Sequence, residues 1–249
     1  PKPAASAGGM GDPRFREELI AKVKGWARMR RTPAVMPEAR RPIAPRPAMA
    51  AAPGSGARPR LIAIGSSTGG PQALAALVAR LDRPLGAPVV AVQHMPAGFT
   101  AMLADHLDKV GRLRCAEARD GEVLRPGRLY LAPGDRHLTV RDGASGLVAA
   151  LSDGPPENFC RPAVDPMLRS AVAACGGRVL AAILTGMGQD GLAGCRALAS
   201  AGGTVLAQDE ASSVVWGMPG AVARAGIARA VAPVEEIAAR IVAAAGEAR

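Results

Sequence analysis

The sequence is poor in aromatic residues and in histidine. Among its 249 residues only six are aromatic: three Phe, two Trp and one Tyr. A hydrophobic core must therefore be built from aliphatic side chains, and an apolar content of 49% is ample for that. The shortage of aromatic rings also argues against nucleic acid as a partner, because single strands are commonly bound by stacking bases on such rings. The chain has three histidines, His94, His106 and His137, so few side chains could serve as a histidine base.

Long apolar runs and paired cysteines are also missing. No uninterrupted apolar stretch approaches the roughly 18 residues of a membrane span, and no signal peptide opens the chain. The cysteines are widely spaced and form no Cys-x-x-Cys motif, so the pattern indicates neither a zinc site nor a disulfide framework. We expect a soluble, cytoplasmic protein without membrane insertion, metal or cofactor. Its thiols, which we expect to be reduced and mostly buried, are Cys115, Cys160, Cys175 and Cys195.

The net charge of +10 is unevenly distributed. Residues 1–60 contain thirteen Lys and Arg against four Asp and Glu, a net of +9. The remaining residues contain eighteen basic and seventeen acidic side chains, a net of +1. The basic excess thus belongs to the N-terminal segment, and the balanced remainder gives no indication of nucleic-acid binding.

Three regions differ in pattern. Apolar residues at helical spacing predict an amphipathic helix over 14–30, and the Pro, Ala and Arg of 31–59 predict a linker. From 60 to 245, apolar runs alternate with helical patterns, which predicts a doubly wound, mainly parallel sheet flanked by helices in a three-layer, Rossmann-like α/β fold. Frequent turn signals over 114–152 predict an antiparallel excursion of hairpins. The predicted strands are 61–65, 88–94, 128–132, 179–185 and 203–208, and the predicted helices are 71–81, 100–110, 165–175, 191–201 and 234–245.

The first predicted strand ends in Gly65-Ser66-Ser67-Thr68-Gly69, which fits the G-x-S-x-G pattern. In that pattern flanking glycines allow a sharp turn that exposes one serine hydroxyl above the sheet. A dinucleotide-binding turn would instead require G-x-G-x-x-G and an acidic residue about twenty positions on, and neither is present. A simple glycine-rich turn is the remaining alternative. The pattern favours a serine nucleophile.

A serine nucleophile requires a base and an acid that orients it. His94 directly follows a predicted strand, so it should lie at the same sheet edge as Ser67. His106 lies in a helical pattern beside aspartates, so we expect it to be a solvated surface residue. His137, at the start of a predicted hairpin strand, is a weaker candidate for the base than His94. Asp190 follows a third strand in a glycine-rich loop, although it could simply cap the next helix. If Asp190 has no part in the mechanism, the acids left to consider are Asp135, Asp153 and Asp165.

Six motifs in order resemble the chemotaxis protein-glutamate methylesterases, over about residues 60–245. They are Gly-Ser-Ser-Thr-Gly-Gly-Pro at 65–71, Gln-His-Met-Pro-Ala-Gly-Phe-Thr at 93–100, Leu-Tyr-Leu-Ala-Pro-Gly-Asp at 129–135, Arg-Pro-Ala-Val-Asp at 161–165, Leu-Thr-Gly-Met-Gly-Gln-Asp-Gly at 184–191 and Val-Val-Trp-Gly-Met-Pro at 214–219. Each motif alone is modest, but their shared order is specific.

The resemblance implies a role for individual residues. Ser67 matches the family's nucleophile, His94 its base and Asp190 its triad acid. The backbone amide of Met187 matches an oxyanion donor, and Thr68 lines the site. Ser66 stands where many relatives have alanine, which places two hydroxyls side by side, and the alignment selects Ser67 as the one that attacks.

The resemblance also implies an activity and partners. The expected reaction is hydrolysis of glutamate methyl esters on methyl-accepting chemotaxis receptors, with possible deamidation of glutamine. The family carries an N-terminal receiver domain, phosphorylated through the pathway's histidine kinase, and residues 1–30 resemble the end of such a domain. The alternative is a module on the same fold that binds a partner without catalysis, and an intact triad argues against it.

Overall fold

The computed structural model describes residues 58–246. The interpretation of residues 1–30 as the end of a receiver domain lies outside the described residues, as does that of 31–59 as linker except for its last two residues. Within residues 58–246, regular structure begins at Leu61 and ends at Ala245, inside the range 60–245 assigned to the catalytic domain. That domain assignment stays a prediction.

The described chain alternates strands and helices, with one run of strands in the middle. The strands are β1 (Leu61–Ser66), β2 (Val89–Gln93), β3 (Arg114–Glu117), β4 (Arg128–Leu131), β5 (His137–Gly143), β6 (Gly146–Ser152), β7 (Val179–Ile183), β8 (Thr204–Gln208) and β9 (Ala230–Ala232). The helices are α1 (Gly70–Arg80), α2 (Phe99–Val110), α3 (Val164–Cys175), α4 (Leu192–Ser200), α5 (Met218–Arg224) and α6 (Val234–Ala245).

Seven strands form one parallel sheet in the order β3-β4-β2-β1-β7-β8-β9. Strand β1 is central, with β2 on one side and β7 on the other. The chain therefore leaves β1 first toward one edge and later returns to build the other, which creates a topological switch point beside β1. Loops at the carboxyl ends of β1, β2 and β7 meet there. The predicted fold class is confirmed.

The core lies on both faces of the sheet, as the alternation along β1 shows. Ile62 and Ile64 pack in a cluster with residues of α1, α2 and α6, whereas Leu61 and Ala63 pack in a second cluster with residues of α3, α4 and α5 and of the β5–β6 hairpin. Successive strand residues point to opposite faces, so a strand covered on both sides is apolar throughout. Every residue of β1 is buried.

The antiparallel region is smaller than the expected range of 114–152. Strands β3 and β4 pair in parallel at the edge of the main sheet, and only β5 and β6 form an antiparallel hairpin. The segment between β3 and β4 adds to that hairpin, with an antiparallel bridge from Val123 to Val148. Turn residues mark where the chain bends but not which strand it then joins. Strand β9 and helix α5 were not predicted, because three and seven residues are too few for a clear periodicity.

No helix within residues 58–246 has the length and apolar character needed to span a membrane.

We predict that a chain beginning at Arg58 keeps the fold, because both core clusters and the central strand lie beyond that residue. Thermal unfolding followed by circular dichroism should give a cooperative transition within a few degrees of that of the 249-residue chain. A matched chain beginning at Ala63 lacks Leu61 and Ile62 of β1, both fully buried, and should show no cooperative transition. A lost transition in the longer variant would place part of the fold's stability in residues 1–57.

Candidate active site

The two adjacent serines at the end of β1 have different surroundings. Ser66 is fully buried, and its hydroxyl donates a hydrogen bond to Oε1 of Gln93 at 2.7 Å. Ser67 is half-buried at the rim, and no hydrogen bond within residues 58–246 engages its Oγ. Of the two hydroxyls, only that of Ser67 is available to a substrate.

Neighbouring strand ends hold the turn that carries Ser67. Its N–H donates to the carbonyl of Thr185 at 3.0 Å, and Oγ1 of Thr185 donates to the carbonyl of Thr68 at 2.9 Å. Gly69 has the left-handed φ of 77° that the turn requires. Gly186 lies so close that a β-carbon there would stand 2.8 Å from Cβ of Ser67. The glycines of both loops thus permit a close approach that other residues would prevent.

Gln93 holds the Ser67 turn and His94 with one buried side chain. Its Oε1 accepts from Ser66, and its Nε2 donates to the carbonyl of Ser67 at 2.9 Å and to that of His94 at 3.1 Å. Gln93 is 2% exposed, so all three bonds lie away from water. Gln93 was not among the predicted site residues. In the sequence, Gln93 stands out only as a polar residue that ends an apolar strand immediately before a histidine.

His94 lies beside Asp190. Its Nε2 is 2.7 Å from Oδ2 of Asp190, and its Nδ1 is 3.4 Å from Sγ of Cys160. A carboxylate can only accept, so Nε2 carries the hydrogen of this bond, and Nδ1 of the neutral ring is the nitrogen that can take up a proton. His94 follows β2, its N–H donates to the carbonyl of Ser66, and its side chain is 11% exposed. The structure gives no direct hydrogen bond from Ser67 to His94 among the described residues.

Asp190 accepts hydrogen bonds from five donors. Besides His94, the donors are the side chain of Asn158 at 2.9 Å and the backbone N–H groups of Val164, Asp165 and Gly191 at 2.6, 3.1 and 2.9 Å. Burial raises the pKa of this carboxyl, but the bonds from His94 and from the backbone outweigh that effect and leave its pKa below the usual value. Asp190 is therefore an ionised, fully hydrogen-bonded carboxylate.

The capping role considered for Asp190 exists, but chiefly for a different helix. Asp190 precedes Gly191, the N-cap of α4, yet it accepts from Val164 and Asp165, the first two residues of α3. Asp165 in turn accepts from the N–H of Gly194 in α4 at 2.7 Å. The first N–H groups of α3 are thus paired with Asp190 from the loop before α4, and an N–H group in the first turn of α4 is paired with Asp165 of α3. Capping and contact with His94 coexist in one side chain.

The other histidines and acids lie in different settings. His106 is exposed on α2, as expected of a solvated residue. His137 is buried, donates to the carbonyl of Pro155 and accepts from the N–H of Ala163, so both ring nitrogens have structural partners. Asp153 forms an exposed ion pair with Arg136 at 2.9 Å. Burial raises the pKa of Asp165, and the negative charge of Asp190 raises it further.

Two backbone N–H groups beside Ser67 have no acceptor within residues 58–246. They belong to Thr68 and Met187. Thr68 follows Ser67 directly, and Met187 follows Gly186, which touches Ser67. The side chain of Met187 is 69% exposed. Two backbone donors near Ser67 are therefore without an acceptor in the described part of the chain.

A cavity of about 560 Å³ lies at the opposite, amino-terminal ends of the strands, among residues that include Arg58, Arg178 and Arg229. Among the described residues, its lining contains no carboxylate and no serine, cysteine or histidine. Within the described part of the chain, no three His, Cys, Asp or Glu side chains are grouped as ligands for a metal. The chemistry-bearing groups instead gather at the open carboxyl edge around Ser67.

Comparisons with known proteins agree with this geometry. Residues 62–241 match the model of the CheB methylesterase family. The chain is 51% identical to a protein-glutamate methylesterase/protein-glutamine glutaminase of Azospirillum brasilense over 95% of this chain and 64% of that protein. It is 48% identical to a relative of the same name from Paramagnetospirillum magneticum, over 96% of this chain and 67% of that protein. The chain thus spans about two thirds of the length of these relatives.

A solved structure shares the fold. The CheB methylesterase catalytic domain of Thermotoga maritima superposes with a TM-score of 0.73 at 41% identity, covering 75% of this chain and 99% of that domain. The matched segment runs from β1 to α6 and contains Ser67, His94 and Asp190. On both the family match and the shared structure, the chain belongs to the CheB methylesterase family.

Proposed function

We propose that this protein is a serine hydrolase that removes methyl esters from glutamate side chains of methyl-accepting chemotaxis receptors. The observation that carries the proposal is the 2.7 Å bond between His94 and a buried, ionised Asp190, next to the turn that exposes Ser67. The relatives' names supply the substrate class. Nucleophile, base and orienting acid each come from a different loop at one sheet edge, as in other convergent triads.

In the first half of the reaction, Oγ of Ser67 attacks the ester carbonyl carbon. Nδ1 of His94 takes the hydroxyl proton, while Asp190 holds Nε2–H and stabilises the imidazolium that forms. The carbonyl oxygen becomes an oxyanion, and we propose that the N–H groups of Met187 and Thr68, which have no acceptor among the described residues, donate to it. When the tetrahedral intermediate collapses, His94 gives the proton to the departing methoxide, and methanol leaves.

In the second half, water attacks the acyl enzyme and His94 acts as base again. The products are the free glutamate carboxylate and regenerated Ser67. Attack on a glutamine amide gives the same acyl enzyme with ammonia as leaving group, so deamidation uses the same residues. The names of the relatives include glutaminase activity and favour this second reaction.

The proposed regulation acts through a receiver domain. We propose that residues 1–30 end a receiver domain, and that the pathway's histidine kinase controls the esterase through phosphorylation of that domain. The support is the resemblance of these residues to the end of a receiver and the greater length of the relatives. Because the proposed receptor substrates signal in the cytoplasm, we propose that this protein acts there.

The proposed activity predicts methanol release. Incubating the 249-residue chain with receptor-containing membranes whose glutamates carry radiolabelled methyl groups should release volatile label. A partner-binding module without catalysis would bind the same membranes and release no label beyond the level of a Ser67→Ala control.

The surroundings of the two serines predict opposite effects of their substitution. Ser67→Ala should abolish turnover of a small ester and leave the thermal midpoint within a few degrees, because its Oγ has no partner among the described residues. Ser66→Ala leaves the buried Oε1 of Gln93 unpaired, which should cost about 1–3 kcal/mol of stability and spare much of the turnover. Steady-state rates and unfolding midpoints of both variants test this. An inactive Ser66→Ala with an active Ser67→Ala would reverse the assignment.

Asp190→Asn tests the acid. An amide cannot accept from every donor around this side chain, so at pH 7 the variant should lose about 1–3 kcal/mol of stability. An equivalent change in another serine hydrolase lowers kcat by about 10⁴, and we expect a loss of at least about a hundredfold here. The parent carboxylate has a lowered pKa, so its stabilising effect is present above about pH 4 and is lost as pH falls through the folded-state pKa. The stability gap between parent and variant should therefore narrow at low pH.

Asp153→Asn is the matched control, because it makes the same change in an exposed ion pair with Arg136. Its kcat and thermal midpoint should stay near the parent's, since exposed pairs contribute about 0–1 kcal/mol. Near-normal turnover in Asp190→Asn would remove Asp190 from the mechanism.

A further inference from the structure

One hydrogen-bond position decides whether the Ser67 hydroxyl can reach its base. Asp190 occupies Nε2 of His94, so the single in-plane lone pair of the neutral ring is on Nδ1. A proton from Ser67 must arrive at that lone pair. Among the described residues, the group that contacts Nδ1 is the thiol of Cys160, with Sγ at 3.4 Å.

Cys160 contacts His94 as a neutral donor. Burial, reinforced by the negative charge of Asp190, raises the pKa of this thiol. A protonated thiol beside an unprotonated ring nitrogen donates its S–H to that nitrogen. The raised pKa also disfavours the thiolate, so Ser67 remains the nucleophile.

The position of Cys160 is fixed by the same carboxylate that holds His94. Residues 157–160 form a tight turn closed by two backbone bonds between Glu157 and Cys160, of 3.1 and 2.9 Å. The central residues, Asn158 and Phe159, have left-handed φ values of 50° and 63°. The Asn158 amide donates to Asp190 at 2.9 Å and to Asp165 at 3.0 Å, and these bonds hold the turn against the two buried carboxylates. A bulky residue in the left-handed region is strained, so this conformation is imposed by the surroundings.

We infer that Cys160 is a positioning residue that occupies the lone pair of the catalytic base in the free enzyme, and that the Ser67 hydroxyl displaces it when the ester binds. The inference rests on the proposed function for its catalytic consequence. Competition between the thiol and the Ser67 hydroxyl for this lone pair lowers the rate. No bond to sulfur forms or breaks.

The experiment compares Cys160→Ala and Cys160→Ser in the 249-residue chain, with Cys175→Ala as a thiol loss in the core away from His94. Values of kcat/KM are measured for a small ester. Without a donor on Nδ1, Cys160→Ala should raise kcat/KM about fivefold, the size expected for one weak hydrogen bond.

Cys160→Ser retains a donor and should return kcat/KM toward the parent's value, and Cys175→Ala should leave it unchanged. A Cys160→Ala variant with an unchanged or lower kcat/KM overturns the inference. Residual turnover in Ser67→Ala that disappears in Ser67→Ala/Cys160→Ala would make the thiol a nucleophile and also overturn it.

A second measurement does not depend on turnover. Proton–nitrogen correlation spectra of protein with ¹⁵N-labelled histidine report the hydrogen bond at Nδ1 directly. The His94 Nδ1 resonance should shift in Cys160→Ala and recover in Cys160→Ser; identical spectra in all three proteins would refute the contact. A protein that shows this pattern but releases no methanol would refute the proposed function while leaving the contact established.

Discussion

The hydrogen bonds to Asp190 are the interaction on which the rest of the site depends. One buried carboxylate accepts from the histidine, from the start of α3 and from the turn at 157–160. A charge in the interior is tolerated only when it is paired and its oxygens are satisfied. The donors that meet this requirement are also the groups that need a fixed position: the ring of His94, the first turn of a helix and the loop beside the cleft.

The parallel sheet explains how three distant segments supply the site. The register places Ser66 opposite Gln93 and Gly65 opposite Ile183, so the residues that follow in each chain emerge at one edge. The edge alone does not set their orientation. The side chains of Gln93 and Thr185 set this orientation, because they donate hydrogen bonds to backbone carbonyls of the neighbouring loop. The strands bring the loops together, and buried polar side chains fix the distances between them.

Much of this arrangement could be predicted from the sequence, because it follows from local patterns. The buried strands and the long helices have a clear period, and the topology rule places their carboxyl ends together, which is enough to group Ser67, His94 and Asp190. Gln93, Asn158 and Cys160 could not be found in this way, since their importance comes from contacts between segments far apart in sequence. The parallel pairing of β3 was missed for the same reason: its partner is chosen by tertiary packing rather than by the turns around it.

The exchanged caps of α3 and α4 have a consequence for the way the protein loses its structure. Because Asp190 serves the start of α3 and Asp165 serves the start of α4, neither helix can fray at its first turn without unsettling the other. We therefore expect the two helices to open locally as one cooperative unit that includes Asp190. Such an opening would separate His94 from Asp190 and, by the proposed mechanism, stop turnover before the whole domain unfolds.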